Sequence, residues 1–156
     1  MIKQRWCWTV FLLAGCGGGT APVHPATSAA AAVRGFMQAV TDSNVDKMAA
    51  LWGSANGPAS QTGQPPDYER RVAIMQAYLR NSSHRILSNT ADTRSADRRN
   101  LMVEVKRDQC EKIVPISVVR TSAGTWVINS IELTALGTPG RPCEEAGASP
   151  APAPGS

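Results

Sequence analysis

Chemistry in this chain starts with its thiols. Of four cysteines, Cys7 and Cys16 belong to an N-terminal apolar stretch, whereas Cys110 and Cys143 lie 33 residues apart in the C-terminal half. Cys16 follows Leu13, Ala14 and Gly15. Small residues before a cut site let a membrane peptidase approach closely, and a thiol placed there is a nucleophile that can receive a lipid. Cys110 and Cys143 could form a disulfide or share a metal ion. A metal would need further ligands, and the only histidines are His24 and His84, neither close to a thiol in sequence. A bridge closing that loop would contribute about 3–4 kcal/mol in the chain-entropy model.

The remaining candidates are carboxylates and aromatic side chains. Glu104 and Glu132 fall within strand-like alternation, on the faces of Met102 and Ile128, and could point into a cavity or face solvent. Asp42, Asp46 and Asp67 sit at helix boundaries, where capping accounts for them. His84 follows a helix end, where an imidazole suits the helix dipole. Trp52, Tyr68, Tyr78 and Trp126 could line a pocket, or simply pack in the core at their helix and strand spacing. Arg94, Arg98 and Arg99 with Asp92 and Asp97 read as a solvated hairpin tip. The chain has no Gly-rich phosphate loop, no metal-ligand spacing and no serine or cysteine nucleophile constellation. No cofactor, catalytic residue or metal site is expected from it.

Residues 1–15 combine Lys3 and Arg5 with an apolar run over residues 6–14. At roughly nine residues the run is too short to span a bilayer as a helix, which needs about 20. It reads as a secretory signal. Leu13-Ala14-Gly15-Cys16 resembles the lipobox of bacterial lipoproteins. That resemblance implies cleavage after residue 15, diacylglycerol on Cys16 and a further acyl chain on its new amine. Two or more chains give stable membrane attachment, where one gives only marginal binding. An ordinary signal with an incidental cysteine is the competing reading. Gly17 in place of an aspartate implies, by the family's sorting rule, the outer membrane with the protein facing the periplasm. Without Lys3 and Arg5 the 16 basic residues become 14 against 12 acidic ones, a net charge of +2. A nearly neutral chain without a basic run is a poor nucleic-acid binder.

Residues 16–27 form a Gly/Ala/Pro tether, residues 28–146 a single domain, and residues 147–156 a Pro/Ala tail expected to be disordered. A first helix opens near Ser28, with Val33, Phe36, Met37 and Val40 on one face. Ser43 or Asn44 caps a second, which carries Val45, Met48, Ala49 and Trp52. The Gly- and Pro-rich residues 53–66 read as a loop, and a third helix begins near Asp67 with Tyr68, Val72, Met75 and Leu79 in a stripe. The period then changes to two. Strands are expected over 85–90, around Leu101, Val103 and Val105, over 113–121 with Pro115 at an edge or bulge, and over 125–133. In the last of these Val127, Ile131 and Leu133 oppose Trp126, Ile128 and Glu132. Pairing of the last two strands would bring Cys143 back towards Cys110. Helices followed by a meander give an α+β fold, with three N-terminal helices on a curved four-stranded antiparallel sheet.

This order, with a Trp before the Gly-rich stretch and a closing Trp126-Val127-Ile128 strand, resembles the nuclear transport factor 2-like superfamily over residues 28–136. The resemblance implies a cone whose pocket lies between helices and sheet. Family members include ligand binders, dimers and accessory domains, and also enzymes of ketosteroid isomerase-like and polyketide cyclase-like types, so fold alone does not transfer function. The expectation is a membrane-anchored domain that binds a small apolar ligand or an envelope protein. The alternative is an isomerase- or cyclase-type enzyme on a small apolar substrate.

Overall fold

Ser28 opens the first helix chemically: its hydroxyl accepts the Ala31 N–H at 3.2 Å and so caps helix α1, Ala29–Thr41. This is seen in a computed structural model that describes residues 24–141 and 143. The expected signal sequence, Cys16, most of the expected tether and the expected tail lie outside the described residues. The apolar stripe of α1 is fully buried through Val33, Phe36, Met37 and Val40. Ser43, at φ 53°, turns the chain, and Asn44 accepts the Lys47 N–H at 2.9 Å to open α2, Val45–Leu51. Met48, Ala49 and Leu51 are its buried residues.

Residues 53–66, expected to be a loop, contain more structure than that. Strands β1, Gly53–Ser54, and β2, Gly57–Pro58, make a small hairpin, and a one-turn helix α3, Ala59–Thr62, follows. Gly53 is required there because a Cβ would run into the Gly57 carbonyl oxygen, and Gly57 adopts φ 137°. The described residues therefore hold four α-helices, three of them substantial, in place of the expected three. The last, α4, spans Tyr68–Leu79 and buries Val72, Met75 and Leu79.

A four-stranded antiparallel meander completes the fold: β3, Ser83–Ala91; β4, Arg98–Arg107; β5, Cys110–Arg120; β6, Trp126–Ile131. A 3-10 turn, Leu133–Leu136, follows. The architecture is α+β, as the change of period implied. Leu101, Val103 and Val105 of β4 and Val114, Ile116 and Val118 of β5 all face the helices and join one cluster with Phe36, Met37, Met48 and Leu79. Each such side chain contributes about 1.5–3 kcal/mol on leaving water. Leu87, Met102 and Ile113 stay exposed on or beside the other face.

Two β-bulges break the simple alternation. Ile86 pairs with Val103 but Ser88 pairs with Met102, which leaves Leu87 as the extra residue. In β6 the partners step from Ser130 to Ile128, so Asn129 is extra. Ile128 and Ile131 consequently both stand opposite inward residues, Val118 and Ile116, and the expected split of β6 into two alternating faces does not hold. Pro115 is not on an edge strand but in β5, between β4 and β6. Its carbonyl accepts the Glu132 N–H at 3.0 Å, just past the end of β6. Its missing N–H thus points to the side where the neighbouring strand has already ended.

The closing segment returns across the β4–β5 hairpin. Cys143 is joined to Cys110, with Cα atoms 5.4 Å apart. Beside this pair the Arg107 guanidinium donates to the carbonyls of Tyr78 (2.6 Å), Arg80 (2.8 Å), Pro139 (3.2 Å) and Ala77 (3.3 Å). It therefore satisfies carbonyls at the C-terminal end of α4 and holds the returning chain at the same time. Arg107→Ala should lower the unfolding free energy by about 2–3 kcal/mol, since a charged donor and several carbonyls lose partners together. Arg107→Lys should recover only part of this, because an ammonium cannot reproduce the planar fork. Urea denaturation midpoints of the three proteins check both expectations.

Candidate binding cleft

The residues proposed to line a common pocket do not converge. Trp52 is half-buried and runs parallel to β6 through a bridge to Ile128, next to Gly53 and Asn129. Tyr68 borders a groove with Asp46 and Glu69, and Tyr78 borders a different one with Ile74 and Leu133. Glu104 lies on the outer sheet face, where Arg85 grips it with two bonds of 3.1 and 3.2 Å. Glu132 is beyond the end of β6, exposed, and accepts the Thr134 hydroxyl. Neither carboxylate points between helices and sheet. That space is occupied by Phe36, Met37, Met48 and Leu79, each at most 0% exposed.

Trp126, alone among the six, borders a partly enclosed cleft of about 320 Å³ beside the turn that follows β5. Four pieces of chain build it. Ala26, which the sequence reading leaves in the tether, is buried, and its carbonyl accepts the Trp126 N–H at 3.0 Å. Ala50 and Leu51 come from the C-terminal end of α2. Asn56, Gly57 and Pro58 come from the small hairpin, and residues 121–127 supply the β5–β6 turn. The turn is set by Thr121, whose N–H donates to the Thr125 carbonyl at 2.7 Å while their hydroxyls bond at 2.8 Å. The Ser122 N–H donates to the Ala55 carbonyl at 3.0 Å and ties turn to hairpin.

The chemistry of the lining is neutral. Walls are apolar through Pro25, Leu51, Pro58, Trp126 and Val127, with amide and hydroxyl groups from Asn56, Gln61, Thr121 and Thr125. Among the described residues no charged side chain borders the cleft. The groups whose protonation is perturbed are elsewhere. The Arg71 side chain bonded to Asp67 draws that carboxyl below its ordinary value. Loss of hydration, and then Glu69, push Tyr68 up. The backbone N–H of Arg94 lowers Asp92. Among the described residues there is no cluster of three or more metal-ligating side chains, and no helix is long and apolar enough to cross a membrane.

Sequence reasoning missed the hairpin and turn that make two of the cleft's walls. The spacing of Gly53 and Gly57 was the available signal, since it is the close backbone approach between them that forms the hairpin. Comparison with protein-family models, curated proteins and solved structures finds no match for this chain.

His84, expected to follow a helix end, is at the start of β3 and opposite Val105. Partial burial lowers its pKa below the ordinary 6.5. The unfolded chain therefore takes up this proton more readily than the folded one, so stability is full above the unfolded value and falls as pH drops through the interval between the two. Urea midpoints should decrease from pH 7.5 to 5.5, and His84→Asn should flatten that decrease. An unchanged slope in the variant would assign it to other groups.

Proposed function

We propose that this chain is a lipoprotein of the cell envelope, attached through acyl chains on Cys16, whose domain binds a small neutral apolar ligand in the cleft beside Trp126. The lipobox-like Leu13-Ala14-Gly15-Cys16 supports the attachment, and Gly17 supports the outer membrane with the domain in the periplasm. The pairing of Cys110 with Cys143 suits that oxidising space. The order of helices and meander supports a nuclear transport factor 2-like, cone-derived fold whose interior is filled with side chains.

One observation carries the binding reading: the cleft is walled by apolar groups, holds a few neutral hydrogen-bonding side chains and, among the described residues, is bordered by no acid or base. Such a lining stabilises and orients a neutral guest, with nothing beside it to move a proton. The alternative of an isomerase- or cyclase-type enzyme would call on Glu104 or Glu132, and both stand outside the cleft. About 320 Å³ is near the lower limit for small-molecule sites, which points to a guest of modest size.

The test of the cleft uses N-phenyl-1-naphthylamine, a neutral apolar fluorescent probe. Saturable binding is expected, with an affinity lowered about tenfold or more by Ala123→Trp, which places an indole at the mouth. Ile74→Ser, in a separate groove, should leave it unchanged. Binding that fails to saturate, or that responds to Ile74→Ser instead, would remove the cleft from consideration. Attachment is tested separately: Cys16→Ser should shift the protein from the membrane to the soluble fraction, and persistent membrane association would refute the lipobox.

A further inference from the structure

The β3–β4 hairpin tip and the β5–β6 turn lie at the same end of the sheet, and the chain coming from the anchor joins the domain there too. Three contacts establish this. The Arg120 N–H donates to the Asp97 carbonyl at 2.8 Å, Arg120 pairs with Trp126, and the Trp126 N–H donates to the Ala26 carbonyl at 3.0 Å. The opposite end holds the β4–β5 hairpin, the Arg107 contacts and the Cys110–Cys143 pair.

That shared end is basic. Arg94, Arg98, Arg99 and Arg120 face Asp92 and Asp97, four positive charges against two. Arg94, Arg98 and Arg120 are exposed and Arg99 is partly so. Arg98 donates to the Asn129 side chain (3.1 Å) and Arg99 to the Asn89 side chain (2.6 Å), both neutral partners. The ion pairs of the described residues lie elsewhere, at Arg71–Asp67, Arg85–Glu104 and Lys106–Glu111. Asp92 is bonded by the Arg94 backbone N–H at 2.8 Å and lies within the field of Arg94 and Arg98, with no side-chain ion pair to either. The end therefore keeps an excess of two positive charges facing outward.

Chain length says what they face. Cys16 lies ten residue steps before Ala26, where the chain is tied to Trp126, and that length spans at most about 36 Å when fully extended. The ten residues of β4 run about 33 Å from one end of the sheet to the other. The opposite end also carries cations, among them Arg80 and Lys112, but to stand on that end the chain from Ala26 to Cys16 would have to be drawn almost straight, whereas a Gly-rich chain of ten residues has an r.m.s. span of only about 18 Å. We infer that the domain stands on its hairpin end, with Arg94, Arg98, Arg99 and Arg120 against the phosphates of an anionic lipid surface. This rests on the lipid attachment proposed above. Guanidiniums match phosphate geometry through paired N–H donors, and their attraction to an anionic leaflet is short-ranged, decaying over about 8–10 Å at ordinary ionic strength.

The experiment uses the acylated full protein in vesicles of phosphatidylcholine, with and without phosphatidylglycerol, that carry nitroxide-labelled headgroups. A fluorophore is placed at Ala96→Cys in the hairpin tip or at Thr138→Cys at the other end. Quenching should be several-fold stronger at position 96 than at 138, should increase with phosphatidylglycerol, and should fall roughly threefold in 0.5 M salt or in the Arg94→Glu, Arg120→Glu variant. The salt arm needs no variant and stands if the double substitution disturbs folding. Equal quenching at both positions, or quenching indifferent to phosphatidylglycerol and salt, would overturn the orientation while leaving the anchor intact. Failure of the protein to float with phosphatidylcholine vesicles would overturn the anchor, and this inference with it.

Discussion

Water will not tolerate the inner face of this sheet uncovered, and most of the structure follows from how it is covered. Leu101, Val103 and Val105 alternate along β4 with Met102, Glu104 and Lys106, and Val114, Ile116 and Val118 repeat the pattern on β5. Helix α1 brings Phe36 and Met37 against them, α2 adds Met48, and α4 adds Leu79. Because these side chains fill the space between helices and sheet, the grooves of the described residues lie at the surface rather than inside the layers. The cleft beside Trp126 is one of them, formed by an incoming chain, a helix end, a hairpin and a turn. Its neutral lining is a consequence of that origin, since it is assembled largely from backbone turns and small residues.

How much of this was legible depended on whether a residue's role was local. The stripe of Val33, Phe36, Met37 and Val40 announces one buried helix face, and all four are buried. The alternation in β4 is equally direct. β6 misled because Asn129 inserts one residue, and a period-two reading cannot see an insertion whose cause is tertiary. Asn129 donates to the Gly53 carbonyl at 3.1 Å and accepts from Arg98 at 3.1 Å, so two distant segments hold the bulge in place. Pro115 misled in a related way. It needs a missing partner on one side only, and the early end of β6 supplies that in the sheet interior.

The candidate site was less legible than the fold. Aromatic and acidic residues draw attention in a sequence, yet Tyr68, Tyr78, Glu104 and Glu132 are dispersed over separate surfaces. The cleft depends instead on two turns, set locally by Thr121 with Thr125 and by Gly53 with Gly57, and on the Ser122–Ala55 and Trp126–Ala26 bonds that join segments 67 and 100 positions apart. Only Trp126 was marked by type and also placed by the fold at the site.

The Cys110–Cys143 pair also alters how the chain would carry a mechanical load. The chain joins the domain at the Ala26–Trp126 end and leaves it at Cys143, beside Cys110 at the other end. Tension between the two would pass from Cys143 straight to Cys110 through the sulfur–sulfur bond. Residues 111–142, with β6 and nearly all of β5, would lie off the covalent path. Those strands also supply the turn, the bulge and the Trp126 wall. One of the cleft's four walls, the β5–β6 turn with Trp126, is thus held where a pull cannot extend it.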